Sequence, residues 1–259
     1  MRTVLVTGAN RGIGLATCKI LKKKKYKIIG VARSKIKNFP GKFIECDLSS
    51  EKEINSLISK VKKLNITCIV NNAGASFGQS IDNLDLKTFD KSIQLNLRPA
   101  IQLSLGLVKN MKKNKFGRIV NVSSRAALGR ELRTSYSSAK SGLYGFARTW
   151  ALELAKYNIT VNTVSPGPIL TELQLRNNSQ NKTYQKKYMT QNPMRRFGSP
   201  EEVANAISFF VSDQASFITG QTLYVCGGMS VGHAPIKSRV IALIIIIILP
   251  DTIKNSIKF

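Results

Sequence analysis

The chain has 259 residues, 43% hydrophobic and 21% charged, enough apolar material for one large core and the wrong composition for a disordered, collagen-like or mucin-like protein. A formal charge of +26, from 40 Lys and Arg against 14 Asp and Glu, raises a nucleic acid or an anionic membrane as a partner. The lysines are nevertheless scattered over what should be solvent faces of helices (Lys22 to Lys25, Lys60 to Lys63, Lys109 to Lys115). No aromatic-interleaved basic stripe accompanies them, so a compositional bias is the better reading and no nucleic-acid partner is expected.

The first strand, Thr3 to Thr7 (TVLVT), begins almost at the initiator methionine, which leaves no room for a signal peptide and points to the cytoplasm. Further apolar runs follow near 27–32, 42–46, 66–71, 117–123, 159–165 and 221–226, with helix-period segments between most of them. This alternation specifies an α/β fold, a single Rossmann-type doubly wound parallel sheet of about seven strands with helices on both faces. Between the second and third strands only Arg33 to Gly41 intervene, with Pro40-Gly41 among them. That is short for a helical crossover, so a loop or a single helical turn is expected. Ser199, Pro200, Glu201 and Glu202 sign a late helix with an N-cap, a proline at the first helical position and a capping-box glutamate, running to about Asp213. Cys18, Cys46, Cys68 and Cys226 show neither a C-x-x-C pair nor a metal-ligand spacing and read as reduced, buried thiols, with no metal site. The one histidine, His233, leaves no Ser-His-Asp triad or two-histidine zinc site that does not use it.

Directly after the first strand comes Thr7-Gly8-Ala9-Asn10-Arg11-Gly12-Ile13-Gly14, then a helical stretch from Leu15 to Lys25. Glycines between a strand and a helix let the backbone approach a pyrophosphate, whose charge meets amide N–H groups and the positive helix end. An NAD site places an acid at the end of the second strand, about 20 residues beyond the loop. Here that strand ends at Arg33-Ser34, and no Asp or Glu precedes Glu45. Arg11 and Arg33 can instead clamp a 2′-phosphate with their fork geometry, so the expected cofactor is NADP(H).

Tyr136 and Lys140 stand at i and i+4 of a predicted helix and project from one face. Around them are Asn71-Asn72-Ala73-Gly74 ending the fourth strand, Asn96 in QLNL, Ser123-Ser124 ending the fifth and Pro166-Gly167 after the sixth. With the glycine loop, in this order and spacing, the chain resembles the short-chain dehydrogenase/reductase family from residue 3 to about 232. The stretch from Arg195 to Gly228 is most similar to the 3-oxoacyl-(acyl-carrier-protein) reductase branch.

The resemblance implies hydride transfer between NADP(H) and a ketone or secondary alcohol, with Asn96, Ser124, Tyr136 and Lys140 catalytic. Tyr136 donates its proton to the carbonyl oxygen. Lys140 and the oxidised nicotinamide lower the phenol from its ordinary value near 10. Lys140 also binds the nicotinamide ribose and refills Tyr136 through a water held by Asn96, while Ser124 hydrogen-bonds the substrate oxygen. In the family the serine stands 13 residues before the tyrosine, which selects Ser123, whereas the strand pattern GRIVNVSS selects Ser124 at a spacing of 12. A deletion in the 125–135 loop reconciles the two, and Ser124 is preferred because loops absorb deletions more readily than strands.

Motif matching places Thr7, Gly8, Asn10, Arg11, Gly12, Ile13, Gly14, Arg33 and Ser34 on the cofactor. It puts Asp47 and Leu48 around the adenine, Asn72, Ala73 and Gly74 beside the adenosine ribose, and Pro166, Gly167, Ile169 and Thr171 over the nicotinamide. For Asp47 an alternative is an acid serving a helix N-terminus. The polar segment from Glu172 to Gly198 reads as a substrate lid. The substrate is a small ketone or a 3-oxoacyl group carried on acyl carrier protein. Of two positions where carrier-protein reductases offer bases to that acidic partner, one is Lys115 and the other is Tyr157. A homo-oligomer, tetramer or dimer, is implied.

Residues 1–232 thus form one NADP-binding domain, and 233–259 a C-terminal extension. Val240 to Leu249 (VIALIIIIIL) is a run of ten apolar residues, short of the roughly 20 that span a bilayer as a helix, so no membrane span is expected. An accidental extension, packing at a subunit interface and membrane association all remain open for it. Two rival functions remain, a catalytically inactive dinucleotide-sensing regulator and a basic nucleic-acid-binding protein.

Overall fold

The computed structural model describes residues 1–171 and 189–232. Most of the expected lid (172–188), and the extension 233–259 with His233 and the isoleucine-rich run, lie outside the described residues. Strands β1 (Thr3–Thr7), β2 (Lys27–Ala32), β3 (Lys42–Glu45), β4 (Ile66–Asn71), β5 (Gly117–Val122), β6 (Ile159–Pro166) and β7 (Thr222–Val225) form one parallel sheet in the order β3-β2-β1-β4-β5-β6-β7. The helices that lie wholly among the described residues are α1 (Gly12–Lys23), α2 (Glu51–Val61), α3 (Leu86–Asn96), α4 (Arg98–Lys113), α5 (Thr134–Leu154) and α6 (Pro200–Val211).

Every residue of β1, β4, β5 and β6 is buried, as required of parallel strands covered on both faces. Alternate side chains divide the core into two layers. Leu5, Ile69 and Ile119 pack with Leu57 of α2, Leu107 of α4 and Leu143 of α5. Val4, Val6, Val70 and Val120 pack with Cys18 and Leu21 of α1 and Ile207 and Phe210 of α6. All four thiols are buried and free. No helix among the described residues is long and apolar enough to cross a membrane.

The boundaries depart from expectation where side chains or a local turn intervene. Helix α1 starts at Gly12, not Leu15, so the glycine loop itself supplies the first turn, and the chain leaves the helix through Lys25 at φ 63°. The link from β2 to β3 is a loop without a helical turn. The capping box forms as read, with Ser199 Oγ accepting from Glu202 N (3.2 Å) and Glu202 Oε2 accepting from Ser199 N (2.8 Å). Helix α6 stops at Val211, short of Asp213, because the Ser212 hydroxyl accepts from Gln214 N and opens a separate 3-10 turn over Asp213–Ala215.

Because β1 is followed outward by β2 and β3, and the chain then returns to place β4 on the other side of β1, a crevice opens at the C-terminal ends of β1 and β4. Ligands of open α/β sheets bind at such switch points.

Candidate active site

The glycine loop leaves β1 on one side of this crevice, and Asn72 to Gly74 leave β4 on the other. Thr7 joins them: its hydroxyl accepts from Asn72 N (2.9 Å) and Ala73 N (3.0 Å), while Asn72 Nδ2 donates to Thr7 O (2.9 Å) and Gly8 O (3.3 Å). The side chains of Thr7 and Asn72 therefore brace the loop. Gly8 adopts φ 62°, and a Cβ on Gly14 would lie 2.2 Å from Gly8 O, so neither position accepts a side chain. No side chain caps α1 and its first turn holds no acid. Its leading N–H groups thus face the crevice with the positive end of the helix dipole.

At the outer end of the loop, Asn10 Nδ2 donates to the carbonyl and the hydroxyl oxygen of Ser34, both at 3.2 Å. This clip sets Arg11 and Arg33, both exposed, beside the end of β2. Across the crevice, the segment after β6 is fastened by Gly167 N to Val225 O (2.9 Å) and Leu170 N to Gly198 O (2.8 Å). It brings Thr171 over the loop, with its Cγ2 3.3 Å from where a Gly12 Cβ would stand.

The catalytic candidates meet where α5 crosses the end of β5. The Ser124 hydroxyl, which accepts from Ala126 N at 3.1 Å, stands near enough to the Tyr136 phenol to favour its ionised form. Lys140 Nζ lies 5.8 Å from the centre of the Tyr136 ring and donates to Val122 O at 2.8 Å. Ser123 is buried and donates to Lys140 O at 2.8 Å, so the two adjacent serines are separated by strand alternation into one that braces α5 and one that faces the tyrosine.

Asn96 ends α3. Its side chain is used on Ala75, donating to the carbonyl (2.9 Å) and accepting from the N–H (3.1 Å), and it also donates to Ser92 O. The helix breaks after Asn96, at Leu97 (φ −121°, ψ −56°), because Pro99 lacks the N–H that Leu95 C=O would receive. Beside the break is a cavity of about 10 Å³, room for roughly one water, lined by Thr7, Asn71, Leu95, Asn96 and Pro99 among others. A Cβ on Gly74 would lie 2.5 Å from Asn96 Oδ1 and 3.1 Å from Lys140 Nζ. The absent side chain is what lets these two groups approach the same point.

The family model described as enoyl-(acyl carrier protein) reductase matches residues 8–230. The chain belongs to the short-chain dehydrogenase/reductase family. A 3-oxoacyl-(acyl-carrier-protein) reductase of Buchnera aphidicola is 39% identical over 240 residues, 88% of this chain and 97% of that one. The enzyme of the same name from Rickettsia felis is 36% identical, over 88% and 96%. Among solved structures, ligand-free aldohexose dehydrogenase of Thermoplasma acidophilum superposes with a TM-score of 0.84 at 30% identity, covering 91% of this chain and 96% of that one. A variant of actinorhodin polyketide ketoreductase with NADPH gives 0.83 at 28%, covering 89% and 97%.

Within this short-chain dehydrogenase/reductase, burial governs the two titratable side chains on α5. Burial pushes the Tyr136 phenol up; the Ser124 hydroxyl and the charges of Arg130 and Arg133 only partly oppose this. Lys140, buried among uncharged groups, is itself pushed down to about 8, so it supplies less positive potential than a fully charged lysine would. Two adenine-side candidates also serve the fold. Asp47 accepts from Ser49 N (2.9 Å) and Ser49 Oγ (2.8 Å) at the entry to α2, bonds that hold its carboxyl below the usual range. The Leu48 side chain is buried in the core.

Proposed function

We propose that the chain is an NADP(H)-dependent ketoreductase of 3-oxoacyl thioesters. Asn96, Ser124, Tyr136 and Lys140 are its catalytic residues, and residues 1–232 form the enzyme. The observation that carries this is the placement of Lys140 one helical turn beyond Tyr136, its Nζ 5.8 Å from that ring and held on Val122 O, with Ser124 next to the phenol.

The residues present fit a dinucleotide phosphate: an uncapped helix N-terminus behind Gly8, Gly12 and Gly14, Arg11 and Arg33 beside Ser34, and no acid in the sequence before Glu45, whose carboxylate at the end of β3 accepts from Lys35 N (3.3 Å). When bound, NADPH supplies the hydride to the carbonyl carbon. Tyr136, kept protonated by its burial, gives its proton to the carbonyl oxygen, and Ser124 donates a hydrogen bond to the same oxygen as negative charge gathers there. Lys140, with its ammonium at about 8, is suited to return a proton to Tyr136 near neutral pH. The backbone carbonyl of Asn96 remains to hold the relaying water, since its side chain is committed to Ala75 and Ser92.

The substrate class rests on the two 3-oxoacyl-(acyl-carrier-protein) reductases above. An acidic carrier protein also finds charge on the surface: Lys115 is exposed, and Tyr157 lies under Lys112 and Lys156, whose Nζ atoms stand 5.0 and 5.4 Å from its ring centre. Exposed Leu105 on α4 and Leu152 on α5 favour a homo-oligomer. The cytoplasm suits such an enzyme.

The test is NADPH oxidation over a panel of 3-oxoacyl thioesters, small diketones, quinones and cyclic ketones, with NADP and NAD titrated in parallel. Thioesters should turn over fastest, and NADP(H) should bind at least about tenfold more tightly than NAD(H), a difference of about 1.4 kcal/mol. Faster reduction of a free ketone would remove the thioester assignment, and equal affinities would reduce Arg11 and Arg33 to surface charge.

A further inference from the structure

Tyr136, Lys140 and Tyr144 stand four residues apart on α5 and so form one stripe, each about one turn beyond the last. The stripe is stitched to the end of β5 by three hydrogen bonds: Lys140 Nζ to Val122 O (2.8 Å), Ser123 Oγ to Lys140 O (2.8 Å) and Tyr144 Oη to Ser124 O (3.3 Å). The first two hold strand residues or the helix backbone. The third holds the residue that faces Tyr136.

Ser124 is beyond the sheet ladder, whose last β5–β6 pair is Val122 with Val164, and the last backbone bond to β6 is Ser123 N to Val164 O. Its carbonyl accepts from Ala127 N (3.0 Å) in the local 3-10 turn and from Tyr144, which reaches it from the helix. Tyr144 is fixed in its turn. Its oxygen lies 2.9 Å from Ser165 Oγ on β6 and 3.4 Å from Tyr224 Oη on β7. A phenol has one proton, and a carbonyl can only accept. With that proton on Ser124 O, Ser165 and Tyr224 must both donate to Tyr144. Burial, together with the bond to Tyr144, pushes the Tyr224 phenol up to about 12, so it remains a donor throughout the neutral range.

We infer that Tyr144 is a positioning residue, whose hydroxyl, oriented by Ser165 and Tyr224, locks the Ser124 carbonyl and so keeps the serine hydroxyl beside Tyr136. This rests on the reading of Ser124 as the hydroxyl that orients substrate. The oriented unit thereby extends across three strands, from β7 through β6 to the end of β5, and meets the site at Ser124.

Tyr144→Phe removes the hydroxyl and keeps the ring. With NADPH and 3-oxobutanoyl-coenzyme A as probe, kcat should fall about tenfold while the KM for NADPH stays unchanged. In a Ser124→Ala background the same change should cost less than about twofold, because the residue through which Tyr144 acts has lost its hydroxyl. Tyr224→Phe, which removes one of two donors, should cost about twofold. A crystal structure of Tyr144→Phe should show Ser124 Oγ displaced from the Tyr136 hydroxyl. If Ser124→Ala lowers kcat but Tyr144→Phe does not, or if the two losses multiply, Tyr144 does not position Ser124 while the reading of Ser124 stands. If Ser124→Ala is itself without effect, that reading falls and the inference with it. An unmoved Ser124 Oγ in the variant structure overturns the inference independently of turnover.

Discussion

Helices α1 and α5 serve the same crevice by opposite means. Helix α1 offers its backbone: its first turn is Gly12, Ile13 and Gly14, with no side-chain cap, and the loop before it is braced by Thr7 and Asn72. Helix α5 offers side chains, Tyr136, Lys140 and Tyr144, and its own backbone is held from outside by Ser123. A site made of N–H groups depends on close approach and is broken by adding atoms. One made of side chains depends on proton positions and is broken by removing them.

The largest effect is therefore expected on α5. Tyr136→Phe should lower kcat on the order of a thousandfold while NADPH affinity, measured by fluorescence titration, changes less than about threefold. A variant retaining a sizeable share of the rate would mean that the phenol is not the proton donor.

The same helix should carry a pH signature of its own. Burial brings Lys140 from its ordinary 10.5 down to about 8. Below about pH 8 folded and unfolded chains both carry this charge, and the desolvation cost is felt in full. Between about pH 8 and 10.5 the unfolded chain holds the proton and the folded chain does not, so stability rises with pH, by about 3 kcal/mol in all. The buried thiols Cys18, Cys46 and Cys68, all pushed up by burial, act in the opposite direction at high pH. The quantity to measure is thus the difference in urea unfolding free energy between wild type and Lys140→Met. A difference that stays flat across this range would show that Lys140 remains charged in the fold.

The paired serines sharpen the contrast within a single turn of chain. Ser124→Ala should lower kcat/KM about a hundredfold, on the order of 3 kcal/mol, as an oriented donor to a developing oxyanion is lost. Ser123→Ala should lower it less than about tenfold and instead cost about 1 kcal/mol of stability, since one hydrogen bond to the Lys140 carbonyl disappears. The reverse ranking would move the substrate-facing role to Ser123.

On α1 the expected effect is smaller in rate and lies in binding. Gly14→Ala pushes a methyl against Gly8 O, a backbone atom that cannot rotate away. About 1–3 kcal/mol of stability should be lost, and NADPH should bind about tenfold more weakly, with kcat at saturation changed less than about threefold. Unimpaired binding would show that the loop does not close on the cofactor as tightly as its geometry requires.

Much of this was legible because it is local. Strand positions followed from apolar runs flanked by turns, α6 from the Ser199-Pro200-Glu201-Glu202 signature, and the cofactor loop from glycines between strand and helix. The preference for Ser124 over Ser123 rested on the strand pattern GRIVNVSS and on loops absorbing deletions more readily than strands. Less visible were features in which one side chain answers a distant backbone group. The break after Asn96 needed Pro99 to be read against Leu95, and the commitment of the Asn96 side chain to Ala75 joins residues 21 apart in sequence. Tyr144, eight residues beyond Tyr136, carried a helical-period signal but no motif.

The sequence alone determined the doubly wound parallel sheet, the glycine loop between β1 and α1 and the polar residue types near the crevice, because these depend on periodicity, turn chemistry and spacing along one element. Tertiary structure decided which of those residues stand free to react. Thr7, Asn72 and Ser123 have hydroxyl or amide groups committed to backbone partners on other elements, and Leu48 has its side chain in the core. Ser124 and Tyr136 meet each other at the crevice. A polar side chain's role follows from the partner that satisfies it, and when that partner lies on another strand or helix, only the packed fold specifies it.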